Sequence, residues 1–420
     1  MTESLCIFEG VHYERLLPLV YMRPTWDLRC GILTLREKIE RCYPGVPVQL
    51  HCRTYLAEYI REQNPGIPVN TVNAMSCLFV NGRVLADAQF AAQVPLQGED
   101  TVYVDGESII AARVSGRNLE RFKGRLSDVY DFPDFEGLVR KEVRATMIRY
   151  PWDLVGYNGA QLRADFGALT AGMSEKITGK VYDGAYLLNR DAICIEAGAK
   201  VKPGVVLDAE EGPIYIAKNA RIFPNATIEG PAYIGEGSMI KIGAKIYEDT
   251  SIGPVCKVGG EVEASIIHGY SNKQHDGFLG HAYLCKWVNL GADTNNSDLK
   301  NNYSSVRVYI NGEEVDSGST FVGLTMGDHS KSAINTMFNT GTVVGVSSNI
   351  FGAGFPPKYV PSFAWGGGES FTTYDMNRGL EVARRVMGRR KVLMSAAEES
   401  VFRKAFELTH EERRKAGMPK

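Results

Sequence analysis

The stretch IAKNARIFPNATIEGPAYIGEGSMIKIGAKIYEDTSIGPVCKV, residues 216 to 258, places an aliphatic side chain at every sixth position. Ile216, Ile222, Ile228, Ile234, Ile240, Ile246, Ile252 and Val258 keep that phase, and Ile195, Val201 and Leu207 precede them across a three-residue slip. A period of six fits neither the 3.6 of a helix nor the 2 of an ordinary strand. It is the signature of a parallel β-helix, in which each hexad forms one side of a triangular prism with its aliphatic residue inward. Ala220, Ala226, Ala232, Ser238 and Ala244, four places after their anchors, are small enough for tight corners. Coils stack at the inter-strand spacing of about 4.8 Å, so each anchor is expected to pack on the one three hexads away.

The phase is lost after Val258 and returns at Met326, Ser332, Phe338, Val344 and Ile350. Residues 264 to 288, ASIIHGYSNKQHDGFLGHAYLCKWV, carry no hexad. A polar interruption inside a solenoid is expected to protrude as a loop, and loops on rigid scaffolds are where sites concentrate.

At 420 residues the chain exceeds what one hydrophobic core usually supports, so several domains are expected. Its 47 Lys and Arg against 49 Asp and Glu create no field that would gather nucleic acid or an anionic membrane, and neither is expected as a partner. Eight cysteines without a C-x-x-C pair read as reduced thiols, neither a disulfide framework nor a zinc site, and no metal site is expected. No signal-like or membrane-length apolar run is present, which points to a cytoplasmic protein.

Residues 1–145 alternate apolar with amphipathic runs: LCIF with ILTLREKIERC, VPVQLHC with YLAEYIREQ, CLFV with DAQFAAQV, TVYV with IIAARV. That alternation predicts an α/β domain on a mostly parallel sheet. Residues 146–190 read as a linker, 191–370 as the prism, and 371–420 as a basic amphipathic helical tail packed along the prism or a neighbouring subunit.

Two stretches resemble a known family. LLPLVYMRPTWDLRCGILTLREKIE, residues 16 to 40, is similar to the opening of sugar-1-phosphate nucleotidyltransferases, with Pro18, Leu19, Arg23, Pro24 and Gly31 at the matching steps. HDGFLGHAYLCKWVNLGADT, residues 275 to 294, resembles the acetyltransferase half of the bifunctional N-acetylglucosamine-1-phosphate uridyltransferase/glucosamine-1-phosphate acetyltransferase family. The resemblance implies a Rossmann-like N-terminal domain followed by a left-handed β-helix, assembled as a homotrimer. It also implies acetyl transfer from acetyl-CoA to an amino group of a phosphorylated or nucleotide-linked sugar. On that alignment His275 is the general base, Asn289, Phe278 and Asp298 line the sugar, and Ala292 and Thr294 lie on the coenzyme side. Lys273 and Lys300 add cations for a sugar phosphate and Lys331 one for the coenzyme. His329 is the fallback base, and His281 reads as structural.

The N-terminal half departs from the family twice. EGVHYER, residues 9 to 15, has Gly10 alone where a glycine-rich loop would let backbone amides wrap a triphosphate. LFVNGRVL, residues 78 to 85, puts Arg83 where the family has the aspartate that holds magnesium, and a guanidinium cannot ligate a metal. The expectation is a domain that binds a phosphorylated ligand through Arg23 and Arg83 without metal-dependent transfer. The alternatives are a working magnesium-dependent sugar-1-phosphate nucleotidyltransferase and a non-catalytic sugar-nucleotide-binding protein.

Overall fold

Stacked coils are what the hexad requires, and the computed structural model, which describes residues 3–124 and 127–418, has them. Face one of the prism is a nine-stranded parallel sheet running from Ile193–Ile195 to Tyr359–Val360. Face two starts at Lys180–Val181 and face three at Tyr186–Leu188. Ile216 pairs with Ile234 and Ile234 with Ile252, as the three-hexad repeat demands. The anchors from Ile195 to Val258 and the corner alanines form one buried cluster. Met326, Phe338, Val344 and Ile350 join that cluster, so the second hexad run belongs to the same prism.

Residues 264 to 288 do not protrude. They form ordinary coils, with Ile252 paired to Ile267 fifteen residues on and Ile267 to Leu284 seventeen on. Shortened coils move the anchors out of phase while every strand stays paired, so the lost hexad marks a change of coil length. The segment that does leave the prism comes later, between Asn295–Asn296 and Thr325–Met326. It carries an antiparallel hairpin, Arg307–Ile310 with Glu313–Asp316, whose Val306, Val308 and Ile310 pack with Val322 and Val343.

The N-terminal sheet has strands β1 Glu3–Phe8, β2 Val48–Leu50, β3 Ser76–Asn81, β4 Thr101–Asp105, β5 Ser108–Ser115 and β6 Val139–Glu142, in the order β2-β1-β3-β5-β4-β6. β2, β1 and β3 are parallel, as expected for a Rossmann-like half. IIAARV, read among the amphipathic runs, is instead strand β5, antiparallel to both β3 and β4. Gly106 at φ 57° allows the tight β4–β5 turn, and the paired Ile109 and Ile110 favour extended backbone.

Residues 146–190 are not an open linker. Helix Pro151–Thr170 lies on face one, where Leu162 and Phe166 pack against Tyr215 and Tyr233, and Lys180–Val181 already belongs to the first coil. Ser251 Oγ donates to the Gly31 carbonyl at 2.9 Å, and the Arg29 amide donates to the Tyr283 hydroxyl at 3.0 Å. Val401 and Phe402 of the tail share a buried cluster with Leu5 and Ile7 of the sheet and with Tyr283 and Phe363 of the prism. Sheet, prism and tail are therefore packed through one continuous core.

Candidate functional site

Ligands of open α/β sheets bind outside the carboxyl ends of the parallel strands. Here those ends are closed by side chains. Glu9, following β1, is buried and accepts from Arg53 Nε at 3.0 Å and from the Thr25 amide at 2.9 Å. Trp26 lies over Gly82, where an added Cβ would come within 2.8 Å of the tryptophan. Arg83 is buried and donates to the Val11 carbonyl at 3.1 Å and the Ile148 carbonyl at 3.4 Å. Burial, with Arg15 and Arg149 nearby, brings its pKa down to about 10. A guanidinium at this position and a neighbouring carboxylate already bound to Arg53 do not fit a magnesium ion.

Arg23 was expected on a phosphate. It is buried at the junction, donating to Asp328 with both Nη atoms and to the Leu19 carbonyl at 3.0 Å. The guanidinium thus joins the α/β domain to the prism.

On the prism, the corner between faces two and three carries His275 and Ala292. His275 is exposed and its imidazole makes no hydrogen bond among the described residues. Lys273 does not reach a ligand. It occupies an inward anchor position, paired with Val258 and buried, with Nζ donating to the His275 carbonyl at 2.7 Å. Burial holds that ammonium down at about 8. Thr294 is buried as well, with Oγ1 2.8 Å from Ser332 Oγ, and serves the interior.

Asn289 and Lys331 are neighbours on face two, joined by a parallel bridge, with Asn272 on the other side of Asn289. Asn272 Nδ2 donates to the Asn289 side-chain oxygen Oδ1 at 3.2 Å. Lys331 donates to the His329 carbonyl at 2.6 Å, and burial lowers its pKa to about 8. Phe278 points out from face three, and Asp298 sits at the corner between faces three and one. Lys300 is turned into the inserted segment, on the Ser305 carbonyl. Within one chain the structure thus groups Asn289 with Lys331, His275 with Ala292, and Phe278 with Asp298, whose side chains meet beside Gly280, and leaves Lys300 apart on the inserted segment.

His329 cannot serve as a fallback base. It is buried between Trp287 and Phe402, and desolvation holds it neutral, well below the ordinary imidazole range. His268 is likewise buried, and its pKa falls to about 3.

Residues 5–174 match the sugar nucleotidyl transferase family. A bifunctional sugar-1-phosphate nucleotidylyltransferase/acetyltransferase of Sulfurisphaera tokodaii is 26% identical over 230 residues, covering 53% of this chain and 50% of that protein. The bifunctional protein GlmU of Rippkaea orientalis is 28% identical over 145 residues, 30% of this chain and 31% of that one. The chain thus spans half or less of the length of these curated relatives. Among solved structures, a UDP-N-acetylglucosamine acyltransferase from Francisella novicida aligns over 58% of this chain and 84% of its own, at 17% identity and a TM-score of 0.28.

One arrangement was missed in the sequence. His281 Nδ1 lies 2.8 Å from Asp298 Oδ2, and its ring stacks on Phe321 with centroids 4.9 Å apart. The pair is seventeen residues apart, one coil of the kind set by Ile267 and Leu284, so the local coil length was the signal that could have joined them.

Proposed function

We propose that the prism transfers an acetyl group from acetyl-CoA to an amino group of a phosphorylated or nucleotide-linked sugar, and that the N-terminal domain binds without metal-dependent transfer. The observation that carries this reading is the way the turns meet between residues 272 and 296: Asn289 bridges Asn272, and the Asn295 and Asn296 side chains accept from the Phe278 and Gly280 amides, which sets the HDGFLGH and VNLGADT stretches on consecutive turns of the prism. The named activity of the Sulfurisphaera tokodaii relative agrees with it. Ala292 and Lys331 are proposed for the coenzyme, and Asn289 and Phe278 for the acceptor.

These groups lie on different faces, so one chain does not complete the site. Ile242, Ile334, Met337, Phe351 and Trp365 are exposed along the corner and the two faces that the N-terminal domain leaves uncovered. These exposed side chains are where a second copy is proposed to pack. A homotrimer that packs face two of one copy against face three of the next would bring Asn289 and Lys331 opposite Phe278 and Asp298.

Thermal-shift measurements test the reading, because a ligand raises the midpoint only if the folded state binds it. Acetyl-CoA and amino-sugar phosphates should each raise it, and UTP with magnesium should do no more than UTP alone. Absence of any acetyl-CoA shift at millimolar concentration would remove the acyl-transfer reading.

A further inference from the structure

We propose that the proton acceptor in the transfer is His281, oriented by Asp298, and not His275. The inference rests on the acyl-transfer reading above and assigns its base.

A general base needs one ring nitrogen free for the substrate and the other fixed by an orienting acceptor. Of the seven histidines, His51, His268 and His329 are buried, while His12, His275 and His410 are exposed. His281 alone is half-buried, with its side chain 21% exposed and Asp298 13%. Asp298, as a carboxylate, accepts from Nδ1–H, and that tautomer leaves the Nε2 lone pair free.

The ring is also held from its other sides. Phe321, at the end of the inserted segment, stacks on it with an interplanar angle of 23°. The His281 amide donates to the Glu263 carbonyl at 3.1 Å, and its own carbonyl accepts from Gly323 at 3.0 Å. His281 has φ 45°, the left-handed corner conformation that Ala264, Trp287 and His329 also adopt. Gly280 beside it leaves room for the dyad, since a Cβ there would come within 2.3 Å of Asp298 Oδ2. Glu263 is half-buried in the adjacent coil, and burial raises its pKa.

In the step this arrangement supports, the acceptor amine, once neutral, forms the N–C bond at the thioester carbonyl, and its proton passes to His281 Nε2. The C–S bond then breaks, the coenzyme thiolate leaves, and the imidazolium returns the proton to sulfur. The products are the amide and the free thiol, with the imidazole neutral again. Asp298 is the positioning residue.

The test is acetyl-CoA thiol release in the full-length protein with an amino-sugar phosphate. His281→Asn should lower kcat roughly 10² to 10⁴-fold with KM for acetyl-CoA unchanged. Asp298→Asn should lower kcat with little change in KM, and Asp298→Glu should restore part of it. His275→Ala should lower kcat far less than His281→Asn does, since the exposed His275 imidazole makes no hydrogen bond among the described residues. An active wild type whose His281→Asn variant keeps full kcat, or whose His275→Ala variant loses it, overturns the assignment while leaving acyl transfer standing. A wild type that releases no thiol overturns the acyl-transfer reading and the assignment with it. An independent readout is the imidazole ¹⁵N spectrum: the Nδ1–H tautomer is expected in wild type and should be lost in Asp298→Asn, and an Nε2–H tautomer in wild type would contradict the proposal even if the variants fail to fold.

Discussion

Arg23 and Asp328 form a two-pronged ion pair, buried on both sides, that crosses from the α/β domain to the prism. Cys285, Asp27 and the Leu19 carbonyl complete the surroundings of the guanidinium. Removing one partner of such a pair leaves an uncompensated charge in the interior and costs about 3 to 5 kcal/mol. Arg23→Ala and Asp328→Asn should each lower stability by that order in urea unfolding, and the double variant should lose less than their sum. Simple additivity would show that the two charges do not depend on each other.

Glu398 lies against the same junction, and burial raises its pKa from 4.5 to about 7. An acid whose pKa is higher folded than unfolded binds more protons in the native state. Its contribution is therefore present at low pH and lost as pH rises from about 4.5 through 7. Glu398→Gln should remove that loss, so the variant should gain on wild type in melting temperature between pH 5 and 8. A constant difference across that range would contradict the assignment.

Lys273 occupies an interior anchor position with its pKa lowered from 10.5 to about 8. Its charged form is disfavoured by folding, so native stability should rise as pH climbs from about 8 to 10.5. Lys273→Met should abolish that rise and increase the melting temperature at pH 7, because the aliphatic stack would continue through the position. Loss of sugar binding in this variant, with the fold intact, would restore the lysine to the site.

Much of this was legible in the sequence, and what was not has physical causes. The run from Ile216 to Val258 specified its prism because identical coil lengths preserve phase. Between Ile252 and Leu284 the coils shorten, and a fixed period then reports a loop where paired strands continue. Arg23 looked like a phosphate contact because its partner, Asp328, is distant in sequence and adjacent only in the fold. Ile110 and its neighbours looked amphipathic because a one-sequence pattern does not show that β3 and β4 flank them. Arg83 was a departure visible at once, and the fold adds that its side chain is buried on the Val11 and Ile148 carbonyls.

That departure carries its own prediction. UTP or dTTP with a sugar 1-phosphate and magnesium should release no pyrophosphate above background. Arg83→Asp should not establish activity, since Glu9 remains bound to Arg53 and Trp26 remains over Gly82. Turnover near one per second in wild type would contradict the reading of this domain.

Association is tested at the exposed strip. Sedimentation equilibrium should give a trimer at micromolar concentration, and Ile334→Glu, at a position 68% exposed in the single chain, should dissociate it without changing the melting of the isolated chain. A wild type that sediments as a monomer would leave the divided site without its second half.

The most direct measurement is amide formation by the wild-type protein, followed as thiol release from acetyl-CoA across a panel of amino-sugar phosphates and nucleotide-linked amino sugars. The account predicts release that requires both co-substrates and yields the N-acetylated sugar by mass spectrometry. Thiol release that is independent of the amine, or no product with any member of the panel, would contradict it.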